Sequence, residues 1–334
     1  MKVLQLLVAC VVSIPSFAAG QLSNFDDWEH ERIQLEDVSI HFRYHGSGPP
    51  ILLVHGFPQH SLTWHTIGPI LAQNYTVIAP DIRGTGDSSI PLSRNYTAHA
   101  AGSDLYAILS YLNITSTYVF AHDKGVGVAT SLAIEHPYLI SRLILAEYPL
   151  PGFGYSTEVT SPNAYQNWQL AFFAVPDAAE FFIQGREKEM LSWYFWHASY
   201  SGTAAVSRDH LERYANEISK PGFLRAGMEY FAAKWQDEKY FTAALTNGSK
   251  LQMPMLALGG EASFSPVSLL EQAWAGVSEN FVAESIPKAG HWIGDENPRW
   301  TAARAARFFG EGERVRSVEL GYLKDRVTLQ GGSI

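Results

Sequence analysis

The sequence predicts an α/β protein: a mostly parallel sheet of eight strands, helices on both faces, and a helical insertion near the middle of the chain. Three observations lead there. Apolar, β-branched runs of strand length recur with helical segments between them. That rhythm stops between about Pro151 and Lys250, where a helix-prone aromatic stretch intervenes. Finally, Ala121-His122-Asp123-Lys124-Gly125 follows an apolar run where a tight strand-to-helix turn belongs, and it places a carboxylate at the tip.

The elements follow in chain order. Met1-Lys2, the apolar run Val3 to Val12 and the small-residue exit Ser16-Phe17-Ala18-Ala19-Gly20 have the form of a secretory signal peptide, so residues 1–20 are expected to be removed and the mature protein secreted. A hairpin is expected around Arg32 to Tyr44. Strands are then expected at Ile51 to Val54, Thr76 to Ala79, Thr117 to Ala121, Arg142 to Ala146, Met253 to Leu258 and Phe281 to Ile286, and a last helix at Pro298 to Phe309. The core is therefore assigned to 21–150 and 251–312, and 151–250 to a helical cap rich in Trp, Tyr and Phe. Residues 313–334 are assigned to a polar, loosely attached tail.

Composition excludes several roles. The chain has 334 residues, 24 Lys plus Arg against 33 Asp plus Glu, and a net charge of -9, with no basic cluster of the kind that binds nucleic acid. Beyond the leader no run approaches the roughly 18 apolar residues of a membrane span, so no membrane insertion is expected. The single cysteine, Cys10, lies in the leader, which leaves no thiol for a disulfide and makes the core the source of stability. Sequons at Asn74, Asn95, Asn113 and Asn247 permit glycosylation on an exported chain. No Cys or His cluster has metal-ligand spacing; His55, His60 and His65 are scattered, and no metal or cofactor is implied.

Asp123 decides the chemistry. A serine on such a turn needs a base to attack carbonyl carbon, whereas a carboxylate is already charged and can displace a leaving group from saturated carbon, giving an ester that water must cleave. By itself an Asp before a helix is commonly just a cap. The partners say otherwise. His291 follows the last strand in Ala289-Gly290-His291-Trp292, where a general base for that water belongs. Two carboxylates compete to orient it: Glu147, at the end of the strand Arg142 to Ala146, and Glu261, in the loop Gly260 to Phe264. Glu147 is preferred because Tyr148-Pro149-Leu150-Pro151 makes a rigid exit behind it. His55-Gly56-Phe57-Pro58 ends a strand and offers the Phe57 N–H, with that of Lys124, as oxyanion donors. Asp81 to Ser88 lacks phosphate-loop spacing and reads as structural.

Together His55 to Pro58, the D-x-R-G-x-G-x-S of Asp81 to Ser88, the H-D-x-G of His122 to Gly125 and the G-H-W of Gly290 to Trp292 resemble the epoxide hydrolase and haloalkane dehalogenase group of capped α/β-hydrolases, over nearly all of the mature chain. Glu147 to Pro151 and Ala171 to Pro176 are most similar to exported epoxide hydrolases. The resemblance implies a nucleophile at Asp123, an acid at Glu147 and a base at His291. It also implies cap residues that donate to the epoxide oxygen. Tyr230 matches one; at the other, Gln169 stands where a histidine would, with Phe172 at the possible tyrosine place. Trp168, Gln169, Phe172 and Trp292 are the substrate-contacting residues implied.

The expected function is epoxide opening to a vicinal diol, with an apolar small molecule and water as the only partners. Dehalogenation is the alternative, since it shares the first displacement. Lys124 and Phe57 stand where haloalkane dehalogenases carry tryptophan and asparagine, and Gly127 stands where haloacetate dehalogenases carry a second arginine. A binding protein, or a biosynthetic cyclase or lyase, on the same scaffold is the third reading. The absence of G-x-S-x-G argues against a serine esterase.

Overall fold

In the computed structural model the described residues are 22–158, 167–202, 205–246 and 250–325. The expected leader and the Asn247 sequon lie outside them. Eight strands form one sheet: β1 (Glu29–Gln34), β2 (Ser39–His45), β3 (Pro50–Val54), β4 (Thr76–Pro80), β5 (Thr117–His122), β6 (Ile140–Ala146), β7 (Met255–Gly260) and β8 (Phe281–Ile286). Their order is β1-β2-β4-β3-β5-β6-β7-β8. The hairpin β1–β2 and the pair β2–β4 are antiparallel, and every pair from β4–β3 to β7–β8 is parallel.

Helices α1 (Ile67–Leu71), α2 (Ala98–Tyr111) and α3 (Gly125–Glu135) connect the first strands. Between β6 and β7 run α4 (Tyr155–Glu158), α5 (Trp168–Phe173), α6 (Pro176–Ile183), α7 (Glu187–His197), α8 (Arg208–Ile218), α9 (Phe223–Ala232) and α10 (Lys234–Thr246). The chain closes with α11 (Val267–Trp274), α12 (Ile293–Glu296) and α13 (Pro298–Phe309). No helix among the described residues is long and apolar enough to cross a membrane.

Alternation along the buried strands feeds two apolar layers. On β5, Tyr118 and Phe120 point to the layer shared with Trp64, Ile67 and Phe309, whereas Val119 and Ala121 point to the one shared with Leu105, Ile108 and Ala129. Such a central strand is thus apolar on both faces, as a parallel sheet covered on both sides requires, whereas the edge strands β1 and β8 are largely not buried. The tail expectation needs correction. Val315, Leu320 and Leu323 are buried, the Val315 N–H donates to Tyr118 Oη, and Val318 bridges to Gly48, so residues 315–323 are packed on the core. The loop after β4 is structural: buried Asp81 accepts from the Ser61 and Asp87 N–H groups and pairs with His41, while Arg83 makes a two-pronged bond to Asp104.

Candidate active site

The parallel strands end on one edge, and the site is made of the residues that follow them. At the end of β5 the chain turns through Asp123 with φ 50°, a left-handed conformation, and enters α3. The Asp123 N–H donates to Ala146 O, and its carbonyl accepts from the Val126 N–H, which fixes the turn. Neighbouring backbone presses close. A Cβ on Gly56 would fall against the Asp123 carboxylate and 2.6 Å from Lys124 N; on Gly125 it would run into the carbonyls that end β3. Glycine is needed at both.

Asp123, His291 and Glu147 are brought together and are all buried. Asp123 Oδ1 accepts from the Phe57 N–H at 2.7 Å, and Oδ2 faces His291 Nε2 at 3.4 Å without closing a hydrogen bond. On the other side of the ring, His291 Nδ1 lies 3.1 Å from Glu147 Oε2, and Glu147 Oε1 accepts from the Gly260 N–H. Glu147 also has a positive φ, 66°. Glu261, the competing carboxylate, accepts instead from the Lys288 N–H. The backbone of His291 is held as well: its N–H donates to Ala198 O at the end of α7, and its carbonyl accepts from His122 Nε2 at 2.7 Å. Burial keeps His122 neutral, with a pKa of about 3, so one ring N–H remains to make that bond.

The electrostatics follow. Burial alone would raise the Asp123 pKa, but His291, His122 and Lys124 outweigh it and hold the carboxyl below its ordinary value. Burial likewise opposes charge on His291, yet the two flanking carboxylates raise it to about 9. Desolvation raises Glu147 despite the His291 ring beside it. The resting site therefore holds an imidazolium between two acids.

A cavity opens over Asp123 and His291, lined also by Tyr148, Tyr155, Asn167, Gln169, Leu170, Tyr194 and Phe264. Gln169 is thus at the cavity, as the resemblance implies. Four other implied positions are not. Tyr230 is buried, but its hydroxyl donates to Arg83 O at 3.0 Å and its ring packs on Tyr96; it lines a neighbouring cavity with Gly56, Phe57 and Lys124, and the next residue on α9, Phe231, packs on Phe57 and Lys124. Trp168 is 42% exposed and packs on Trp193, on the outer side of α5 from Gln169. Phe172 packs among Trp168, Phe173 and Phe182. Trp292 is fully buried, with its indole N–H on Phe195 O, and joins the lid to the core. A helix turns about 100° per residue, so adjacent positions face different ways.

Sequence reasoning missed what Lys124 does with its side chain. The amine is buried, lies 3.9 Å from the centre of the Phe231 ring and donates to Tyr148 Oη at 3.0 Å. Burial lowers its pKa to about 8, while Asp123 and Asp237 act the other way. A long cation following an elbow is the signal that could have flagged it, but the tyrosines meeting it come from elsewhere in the chain.

Comparison with known proteins places this geometry in context. The family described as alpha/beta hydrolase fold matches residues 49–298. The soluble epoxide hydrolase of Corynebacterium sp. (strain C12) is 29% identical over 285 residues, covering 84% of this chain and 96% of that protein. The fluoroacetate dehalogenase of a Burkholderia species is 28% identical over 297 residues, covering 86% and 95%. Among solved structures, wild-type Cfl2 from Burkholderia cenocepacia superposes with a TM-score of 0.78 at 30% identity, covering 84% of this chain and 95% of that one.

Proposed function

The chain belongs to the α/β hydrolase fold family, and from the site it carries we propose that this hydrolase opens apolar epoxides to vicinal diols through an ester on Asp123. One observation carries the reading. A buried carboxylate held as an anion stands at the elbow, with its second oxygen towards a cavity and a histidine whose far nitrogen is tied to an acid. Asp123 Oδ2 attacks a ring carbon and the carbon–oxygen bond opens. Water then adds to the ester carbonyl, His291 taking its proton and Glu147 stabilising the imidazolium. The oxyanion that forms at Oδ1 meets the Phe57 N–H already in place, with the Lys124 N–H at the start of α3 beside it.

The charge on His291 fits this order. While Asp123 is ionised the ring is protonated, and esterification removes that negative charge and frees His291 Nε2 to act as a base. Haloacetate removal is favoured less, because its carboxylate needs a cationic clamp. Here the one cation after the elbow is bonded to Tyr148, and residue 127 is glycine.

The test is intact mass of His291→Gln protein after exposure to epoxides and to haloacids. A gain equal to the whole epoxide, mapped to Asp123, is expected. A gain of the organic group without its halogen would replace the reading with dehalogenation, and no adduct with either, from folded protein, would reject both. Export belongs to the same proposal. It is supported by the leader-like start and by the exposure of Asn74, Asn95 and Asn113, and is checked by secretion and a glycosidase-sensitive mass shift in a eukaryotic host.

A further inference from the structure

Opening an epoxide leaves an alkoxide, and an acid must meet it as the bond breaks. The two lid positions implied for that purpose do not supply an acid: Gln169 is an amide, and the Tyr230 hydroxyl is turned away onto Arg83 O. Phe231, on the face of α9 that Tyr230 does not present, has no hydroxyl. The cavity over Asp123 is nevertheless lined by two buried tyrosines, Tyr148 just after the acid strand and Tyr155 at the start of α4.

We propose that Tyr148 and Tyr155 are the donors to the departing oxygen, and that the Lys124 ammonium behind Tyr148 polarises and reprotonates them. The inference rests on the epoxide reading above. Three contacts carry it. Lys124 Nζ donates to Tyr148 Oη at 3.0 Å and so occupies the acceptor side of that hydroxyl, leaving its O–H to donate elsewhere. The Tyr155 ring lies 5.3 Å from that of Tyr148, and its buried hydroxyl closes no hydrogen bond of normal geometry among the described residues. Lys124 makes no ion pair among the described residues; Phe231, Tyr148 and Tyr155 surround it with ring faces, so its charge is expressed towards the hydroxyl it touches. Tyr194, from α7, lines the same cavity, but among the described residues no lysine or arginine lies over its ring or bonds its hydroxyl.

The step balances. Asp123 Oδ2 forms the new carbon–oxygen bond, the ring carbon–oxygen bond breaks towards oxygen, and that oxygen takes a proton from a tyrosine. Lys124 restores the tyrosine proton and becomes neutral. Esterification lets the resting His291 imidazolium release its proton to solvent. In the second half-reaction water puts its hydroxyl on the ester carbon and a proton on His291; the bond from that carbon to Oδ2 then breaks, and the hydroxyl proton passes to the departing diol oxygen. Asp123 is again a carboxylate and His291 again an imidazolium, and the proton His291 gave to solvent is matched by the one that recharges Lys124. A phenol alone, with its pKa raised by burial, is a poor acid, and the ammonium beside it is the better matched one near neutral pH.

The experiment measures the rate of ester formation by mass in the His291→Gln background, alone and with Lys124→Met, Tyr148→Phe or Tyr155→Phe. Two reagents are used: styrene oxide, whose leaving oxygen needs a proton, and 1-bromobutane, whose bromide does not. Alkylation by styrene oxide is expected to slow on the order of a hundredfold more than alkylation by 1-bromobutane in Lys124→Met and Tyr148→Phe, with a smaller difference in Tyr155→Phe. In the parent background the epoxide rate should fall as pH rises through about 8, and Lys124→Met should lose that limb. Asp123, Asp237 and Lys234 are the charged groups that act on this amine, with the Tyr148 and Tyr155 hydroxyls beside it. Unchanged epoxide rates, or equal slowing with both reagents, overturn the assignment. Absence of any epoxide adduct in folded His291→Gln itself would instead reject the epoxide reading.

Discussion

Replacing Asp123 by Asn should convert His291 from an acid into a base without any substrate. The amide keeps the size of the carboxylate and an oxygen for the Phe57 N–H, but removes the charge that faces His291 Nε2 at 3.4 Å. At that separation and an effective dielectric constant of roughly 20, the lost attraction is about 5 kcal/mol. At 1.36 kcal/mol per pKa unit this lowers the ring by roughly three to four units, from a pKa of about 9 to the ordinary histidine range or below. Glu147 remains at 3.1 Å, so the change reports Asp123 alone. The assay is NMR titration of isotope-labelled histidine, with the His291 signal among the 12 histidines assigned by its loss in His291→Gln. A ring still titrating near 9 in Asp123→Asn would show that Glu147 alone holds the proton. The idea that esterification switches the base on would then fail.

Three further outcomes are expected. Burial raises the Asp295 carboxyl from 3.8 to about 8, so the folded state retains a proton that the unfolded chain gives up; the associated stability is present below about 4 and is lost as pH rises towards 8. Thermal melts of Asp295→Asn should therefore match wild type near pH 4 and exceed it by roughly a few degrees near pH 9, and no pH-dependent gap would count against a neutral Asp295. Gly56→Ala should fold by circular dichroism yet lose on the order of a hundredfold in kcat/KM, because the added methyl group occupies the space of the Asp123 carboxylate and Lys124 N. Tyr230→Phe should cost about 1 kcal/mol in urea denaturation, from the Arg83 carbonyl that loses its donor, while changing the rate of ester formation less than about twofold. A large rate loss there would return Tyr230 to the chemistry.

The sheet was legible because its central parallel strands, β3 to β7, are largely buried on both faces, and so appear as nearly uninterrupted apolar runs whatever their neighbours are. β5 and β6 are read this way, and the residue just past each is a polar side chain at the sheet edge, Asp123 and Glu147. The lid was less legible for a geometric reason. Resemblance identifies a segment such as Met228 to Phe231 but not the way the helix is rolled, and one residue of roll exchanges Tyr230 for Phe231 at the site. Trp168 and Gln169 divide between surface and cavity in the same manner. The meeting of Lys124 with Tyr148 and Tyr155 depends on three stretches of chain converging, which no local pattern records. The described part of the tail, residues 315–323, was misjudged because Val315, Leu320 and Leu323 are spaced among polar residues and find their cover on other elements.

Asp123 and Glu147 both sit at left-handed φ, where a side chain with a Cβ is held against a preference on the order of 1 kcal/mol, and glycine would relax each turn. Drift alone therefore pushes these two sites away from their present residues. A copy freed from selection for turnover would gain stability by losing either carboxylate, so glycine or asparagine at 123 or 147 should mark relatives that keep the scaffold but have abandoned the reaction.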